Sequence, residues 1–199
     1  MAEENREATP SDDENRRLIE TARWHITRYD GLRSSIANRA SFVISANAVL
    51  IGGVALLFPS AINQDIYGGQ VTVIAMGVAA LGVLILAATS IVAATNALLA
   101  AKRWRDIYGS DPPPGMFYLH SDTLAVTPTF RDFGAAFAAQ TASAERMSAT
   151  VNLWVVLQTL NYRYRFLRRA TRRLQYGFAT LACSIAAVIV LSIIGLWRR

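Results

Sequence analysis

The sequence has little of what builds a disulfide framework, a metal site or a catalytic centre. Its 199 residues include one cysteine, Cys183, and two histidines, His25 and His120, which lie far apart. A single cysteine excludes a disulfide within the chain, and no spacing typical of metal ligands is present. There is also no glycine-rich phosphate loop and no nucleophile motif. We therefore expect that the protein is not an enzyme and uses no cofactor.

Lysine is almost missing, since Lys102 is the only lysine among 20 basic residues. The formal net charge of +6 is thus carried by arginine. The simpler interpretation is a GC-rich genome, which favours arginine and alanine codons. The alternative is phosphate recognition, for which the planar guanidinium group is better suited than an ammonium group.

Charge is absent from three long stretches of a chain that is 53% hydrophobic. Residues 40–58 are just long enough, at 1.5 Å per residue, to cross a hydrocarbon core of about 30 Å. We expect Pro59 to end this first span and a short loop to follow it. Residues 71–101 form a second span that exceeds the bilayer thickness and must tilt or project from it. Residues 176–197 form the third span.

Two amides interrupt these spans, Asn47 in the first and Asn96 in the second. An amide exposed to lipid is costly, so each is predicted to face another helix. The many alanines and glycines of the second span permit close contacts between helices. Because ion pathways usually carry an ionisable residue and none lies inside a span, a channel or transporter is disfavoured.

The basic residues predict the orientation of the chain. Seven arginines precede the first span, eleven lysines or arginines lie between Lys102 and Arg173, and none lies between the first two spans. The positive-inside bias therefore places the N-terminus and residues 102–175 in the cytoplasm. The first thirty residues contain eight acidic side chains and no early apolar core, so they are not a signal peptide.

The fold class predicted from these patterns is an all-α membrane protein. Three transmembrane helices carry a cytosolic helical domain, formed by the N-terminal helix and the segment between spans two and three. Residues 1–10 are polar and patternless, which predicts disorder. Residues 11–39 are predicted to form a helix that Ser11 caps, with Glu14 three residues on as in a capping box. Its apolar positions recur at helical spacing: Leu18, Ala22, Ile26, Tyr29, Leu32 and Ile36.

Residues 102–175 are predicted to be helical apart from the stretch around the three prolines at 112–114. We expect Pro128 to start a helix through Ala142, with a stripe of Phe130, Phe133 and Phe137 in the core. A last helix starts near Ser143 and runs into the third span. Its predicted packing seam alternates spacings of four and three: Leu153, Leu157, Leu160, Tyr164, Leu167, Thr171 and Leu174.

The last cytosolic helix is rich in arginine, with six within eleven residues: Arg163, Arg165, Arg168, Arg169, Arg172 and Arg173. The commoner reason for such a cluster is topology, in which each charge also attracts anionic headgroups by about 1 kcal/mol. The alternative is a phosphate-bearing ligand held by guanidinium groups. The ligand-binding candidates are then Arg165, Arg168 and Arg169, with Tyr162 and Phe166 available to stack on a base. We expect Arg172 and Arg173 to serve the lipid surface.

Three stretches together resemble a known family. Residues 36–48 (IANRASFVISANA) enter the first span through a polar residue, a basic residue and alanine, then an apolar run broken by asparagine. Residues 115–118 (GMFY) form an aromatic segment after the second span, and residues 152–177 form a tyrosine- and arginine-rich helix that leads into the third. This layout resembles the membrane effectors of bacterial Pycsar antiphage systems. It departs from the family's pattern at Asn38, where an acidic residue is usual, and at Arg39, where lysine is usual.

The resemblance implies a membrane effector that a cyclic pyrimidine mononucleotide, cCMP or cUMP, activates. It implies assembly of a homo-oligomer in the bacterial inner membrane and loss of membrane integrity in an infected cell, with no nucleic acid as partner. The residues themselves leave two alternatives open. One is a self-associating membrane scaffold that holds anionic lipid, and the other is a channel subunit that senses no nucleotide.

Overall fold

The structure, a computed structural model, describes residues 11–63, 70–99, 124 and 127–197. Of these residues 95% are helical and none lies in a strand. Four helices follow in order: α1 (Asp12–Asn63), α2 (Gln70–Leu99), α3 (Phe130–Ala138) and α4 (Ala142–Trp197). Three of them, α1, α2 and α4, are long and apolar enough to cross a membrane, which confirms the predicted fold class. The predictions for residues 1–10, for the prolines and for the aromatic segment at 115–118 fall outside the described residues.

Helix α1 joins the predicted cytosolic helix and the first span without a break. Ser11 caps it, because the Ser11 Oγ accepts a hydrogen bond of 3.3 Å from the backbone N–H of Glu14. Acidic side chains occupy its first turn, where their negative charge interacts favourably with the positive end of the helix dipole. The helix continues to Asn63, so the prediction that a loop begins at Pro59 is wrong. A proline removes one backbone donor, and an apolar helix among other helices tolerates that loss.

The chain divides into two compact units, and α1 and α4 contribute residues to both. The first unit comprises residues 1–33 and 101–161. Its buried apolar residues include Ile19 and Ala22 of α1 and Val151 and Val155 of α4. An exposed ion pair of 2.7 Å joins Arg23 Nη2 to Glu145 Oε1. Because exposed ion pairs contribute at most about 1 kcal/mol, apolar burial supplies most of the stability here.

Helix α3, also in the first unit, differs from its prediction in bounds and burial. Thr129 caps it by accepting a hydrogen bond of 3.2 Å from the N–H of Asp132, so the helix starts at Phe130 rather than Pro128, and it ends at Ala138. The phenylalanines do share a face, and the rings of Phe133 and Phe137 stack at 6.1 Å. That face is exposed, with Phe130 at 89%, and no residue of α3 is buried. The predicted core role is therefore wrong, because spacing shows which residues share a face but not what covers it.

In the second unit, residues 34–100 and 162–199, helices α1 and α4 run in the same direction. A Cβ added at Gly177 of α4 would lie 2.8 Å from Leu50 Cδ2 of α1. Four residues further along α4, the Cδ2 of Leu181 lies 3.7 Å from a Cβ added at Gly53 of α1. From the first contact to the second, the residue numbers increase along both helices, so the helices are parallel.

Helix α2 runs antiparallel to these two. Phe58, late in α1, packs on Gly77, early in α2, while Asn47, earlier in α1, bonds Ser90, later in α2. The contact is close because small side chains line it, including Ala40, Ala87, Ala94 and Ala170, all 0% exposed. The opposite face of α1 exposes the large apolar side chains of Phe42, Val49 and Leu56. Exposure of Val49 and Leu56 is expected of a surface that meets lipid.

The buried face of α4 is rotated from its predicted seam. Leu167 and Leu174 are buried as predicted, but Tyr164 is exposed. The residues that complete the buried face are Ser148, Val151, Val155, Arg163, Ala170 and Gly177. Several of these are small or polar, so a search for large apolar residues passes over them. Gly177 is no helix breaker, since α4 passes through it unbroken.

Candidate functional site

Three of the five predicted ligand-binding residues form one stripe along α4, in the second unit. Tyr162, Phe166 and Arg169 are four and three residues apart, which places them on one side of a helix. The rings of Tyr162 and Phe166 meet edge to face, with centroids 4.9 Å apart. The Arg169 Cζ lies 5.7 Å from the centre of the Phe166 ring. The stripe therefore combines two aromatic rings with a guanidinium group held over one of them.

The other two candidates, Arg165 and Arg168, are exposed and both lie on the side of the stripe that Arg169 borders. Arg165 is four residues before Arg169, so the two guanidinium groups lie one helical turn apart. Arg168 is about 100° further round the helix than Arg169. Arg165 thus adjoins the stripe of Tyr162, Phe166 and Arg169, and Arg168 lies beyond Arg165, further from the two rings.

The remaining arginines of the cluster occupy different environments. Arg163 is buried, with 8% of its surface exposed, and so presents little surface to a ligand in solution. Arg172 is exposed. Arg173 is half-buried, and its Nη1 donates a hydrogen bond of 2.8 Å to the backbone carbonyl of Thr89 on α2. Only a part of the cluster is therefore available to an anion, whether headgroup or free phosphate.

Asn47 lies at the centre of the second unit and is 0% exposed. Its Nδ2 donates to the Val43 carbonyl of its own helix at 2.8 Å and to Ser90 Oγ of α2 at 2.9 Å. The Ser90 hydroxyl in turn donates to the backbone carbonyl of Ala170 on α4 at 2.8 Å. Asn96, the other predicted interhelical amide, is exposed in this unit.

Sequence reasoning did not single out Ser90. A serine among alanines is unremarkable by composition, and only its position three residues after Ala87 and four before Ala94 places it on the buried face. Like Asn47, Ser90 is 0% exposed, and its hydroxyl links the other two helices of the unit.

These features define a class of protein: a helical, multi-pass membrane protein whose last helix carries a cationic and aromatic stripe. A family model described as the Pycsar effector protein domain matches residues 21–193. Because the match spans most of the chain, the protein belongs to this family, which confirms the resemblance seen in the sequence. Membership makes it a membrane effector of antiphage defence linked to cyclic-nucleotide signalling. No curated protein and no solved structure matched the chain.

Proposed function

We propose that this effector binds a cyclic pyrimidine mononucleotide, cCMP or cUMP, and in response impairs the integrity of the bacterial inner membrane. The observation that carries the proposal is the position of the stripe. Tyr162, Phe166 and Arg169 lie on the same unbroken helix that continues as an apolar segment to Trp197. A ligand that binds the stripe therefore acts directly on a membrane helix.

The chemistry of the stripe suits such a ligand. A cyclic phosphodiester carries one negative charge and exposed oxygens, which guanidinium groups bind by charge-assisted hydrogen bonds. Arg165 and Arg169 supply these groups from successive turns of α4. The rings of Tyr162 and Phe166 offer an aromatic surface beside them for the base. This arrangement supports recognition of a nucleotide rather than of phosphate alone.

The orientation in the proposal follows from the distribution of charge. The N-terminus and residues 102–175 are placed in the cytoplasm because they carry nearly all the basic residues. A cytoplasmic nucleotide then reaches the stripe without crossing the membrane. The last two arginines, Arg198 and Arg199, fall on the opposite side and are outnumbered by the flank at 163–173.

Assembly of several copies is part of the proposal. Each chain supplies three helices that could span the bilayer. Three helices that pack closely on one another are too few to enclose a water-filled path. Impairment of the membrane by this fold therefore calls for a homo-oligomer. The nucleotide would favour assembly through a higher affinity for one arrangement of α4, since a ligand shifts an equilibrium only through differential affinity.

The test is leakage of a self-quenching dye from liposomes that contain the purified protein. We expect cCMP or cUMP to cause leakage, while cAMP and cGMP cause little. A variant with Arg165→Gln and Arg169→Gln should respond only at much higher nucleotide concentration. The matched control, with Arg16→Gln and Arg17→Gln on the exposed surface of α1, has the same net charge and should respond normally.

Two results would count against the proposal in different ways. The absence of leakage with every cyclic nucleotide at saturating concentration would remove the sensing function and favour a self-associating scaffold. Constant leakage that no nucleotide changes would favour a channel subunit without nucleotide sensing.

A further inference from the structure

We propose that Asn47, Thr89, Ser90, Ala170 and Arg173 form a latch that holds α1, α2 and α4 in the closed arrangement. Activation releases this latch. The inference rests on the proposed function in one respect, since it takes nucleotide binding on α4 as the signal for release.

The first part of the latch is a relay with a defined direction. The Ser90 hydroxyl donates its one hydrogen bond to the Ala170 carbonyl, so toward Asn47 its oxygen can act only as an acceptor. The Asn47 amide must therefore present Nδ2 to Ser90, and the same nitrogen also donates to the Val43 carbonyl. Each member of the relay lies on a different helix of the unit. Separation of any one helix breaks at least one bond.

The second part of the latch lies next to the first. Thr89 precedes Ser90 on α2, and its carbonyl accepts from Nη1 of Arg173 at 2.8 Å. Arg173 is three residues after Ala170 on α4, so both α2–α4 bonds fall within one turn of each helix. A charged donor makes the stronger kind of hydrogen bond. The latch is thus a local, paired contact rather than one bond among many.

The burial of the latch indicates which functional state it holds. Asn47, Ser90 and Ala170 are each 0% exposed, so water does not reach the contact between the three helices. A state that lets water or ions through the membrane requires helices arranged differently. The latched arrangement is therefore the resting one.

One polar atom of the latch has no hydrogen-bond partner, which lowers the free energy needed to release the latch. Among the residues that the structure describes, nothing donates a hydrogen bond to Asn47 Oδ1, although that atom is fully buried. A buried carbonyl oxygen without a donor destabilises the state that contains it. Any rearrangement that admits water to Asn47 satisfies this oxygen. The closed state is thus held by three interhelical hydrogen bonds and opposed by one unsatisfied acceptor.

The latch adjoins the candidate ligand stripe. Ala170 follows Arg169 directly, and Arg173 is one turn beyond it on the same face of α4. A phosphate that draws Arg169 outward rotates or shifts this turn of α4. Both hydrogen bonds between α2 and α4 involve residues of this turn, Ala170 and Arg173, so the shift strains both bonds.

The first experiment compares Ser90→Ala with Ser184→Ala in the liposome assay. Both variants lose one serine hydroxyl from a long helix, but within the described part of the chain Ser184 bonds only the carbonyl of Thr180 in its own helix. We expect Ser90→Ala to raise nucleotide-free leakage and to lower the half-maximal nucleotide concentration. The expected change is about threefold or more, because Ser90→Ala removes two interhelical hydrogen bonds and the loss of one in a membrane corresponds to about threefold. Ser184→Ala should behave as the unmodified protein.

The second experiment compares Arg173→Ala with Arg172→Ala, which remove the same charge from neighbouring positions. Arg173 bonds α2, whereas Arg172 is exposed. The account predicts increased nucleotide-free leakage for Arg173→Ala alone. If Ser90→Ala does not fold, the comparison of these two arginine variants still tests the latch. Arg173 is only half-buried, so its replacement disturbs folding less. Equal behaviour of Arg173→Ala and Arg172→Ala would overturn the latch.

The two proposals fail in distinguishable ways. If the unmodified protein responds to nucleotide and the latch variants match their controls, the latch is wrong and the proposed function stands. If Ser90→Ala and Arg173→Ala leak but no nucleotide changes the unmodified protein, the closed-state latch is supported. In that case release by nucleotide, and the proposed function with it, is overturned.

Discussion

Single side chains decide whether α4 is a nucleotide-binding helix or only a lipid-anchored one. Anionic headgroups attract every exposed arginine by a similar amount, so they do not distinguish Arg168 from Arg169. A nucleotide bound as proposed would distinguish them, because Arg169 lies over the Phe166 ring and Arg168 lies about 100° round the helix from Arg169. The comparison of these neighbours therefore separates the two explanations of the cluster.

We predict that Arg169→Gln weakens nucleotide binding by about tenfold, the effect of losing one hydrogen bond to a charged group. Arg168→Gln, which removes the same charge from another face of the helix, should change the affinity less than threefold, roughly one long-range charge in salt. Calorimetric titration of the protein in lipid nanodiscs measures both. Equal losses for the two variants would mean that the cluster acts only as diffuse charge.

Gly177 provides a second prediction at this scale. A Cβ at this position would lie 2.8 Å from Leu50 Cδ2, and Leu50 is 1% exposed, so its side chain has little room to move. Gly177→Ala should therefore destabilise the protein by about 1–3 kcal/mol, as overpacking does. At Gly82 nothing lies within 4 Å of an added Cβ, so Gly82→Ala should be neutral or stabilise by up to about 1 kcal/mol. Thermal denaturation in detergent compares them. Matching midpoints would refute the close contact.

At the scale of whole helices, the packing changes where the membrane boundaries are expected. Gly177 begins the predicted third span but packs against Leu50, ten residues into the predicted first span. For parallel helices this is a stagger of about nine residues, or about 14 Å. We infer that the layer of Asn47, Ser90 and Arg173 lies near one boundary of the hydrocarbon core, which is the cytoplasmic one in the orientation proposed above. The spans then cover about 20 residues each, near 44–63, 70–91 and 172–193.

This register predicts that Phe42 lies outside the hydrocarbon core. In a Cys183→Ser background, Phe42→Cys should react with a membrane-impermeant maleimide in permeabilised cells. Leu56→Cys, equally exposed on the protein surface but within the span, should be protected by lipid. A first span of residues 40–58 would protect both positions. Protection of Phe42→Cys would therefore restore the original boundaries.

The existence of the helices and the starts of α1 and α4 were predictable from the sequence, but the C-terminal end of α1, the bounds of α3 and the buried face of α4 were not. Absence of charge over twenty residues predicts a span by itself, because an unpaired charge in lipid is expensive. The phase of α4 depends on which residues its neighbours accept, and Ala170 and Gly177 are buried because they let α1 and α2 approach. Phe130 shows the converse, a regular apolar stripe that remains exposed.

For the molecule as a whole, the central feature is continuity between the predicted cytosolic segments and the spans. Helices α1 and α4 each contribute residues to both compact units. The stripe on α4 was predictable because arginines and aromatic residues at close spacing are unusual. Its proximity to Ser90 and Thr89 was not, because those contacts join residues about 80 positions apart.

The most direct test of this account measures membrane potential in bacterial cells that express the chain together with an inducible pyrimidine nucleotide cyclase. A potential-sensitive dye should report depolarisation after cyclase induction, and the Arg165→Gln, Arg169→Gln variant should prevent it while the Arg16→Gln, Arg17→Gln control does not. Depolarisation that is unaffected by cyclase induction, or that both variants preserve equally, would contradict the claim that nucleotide binding on α4 controls the membrane.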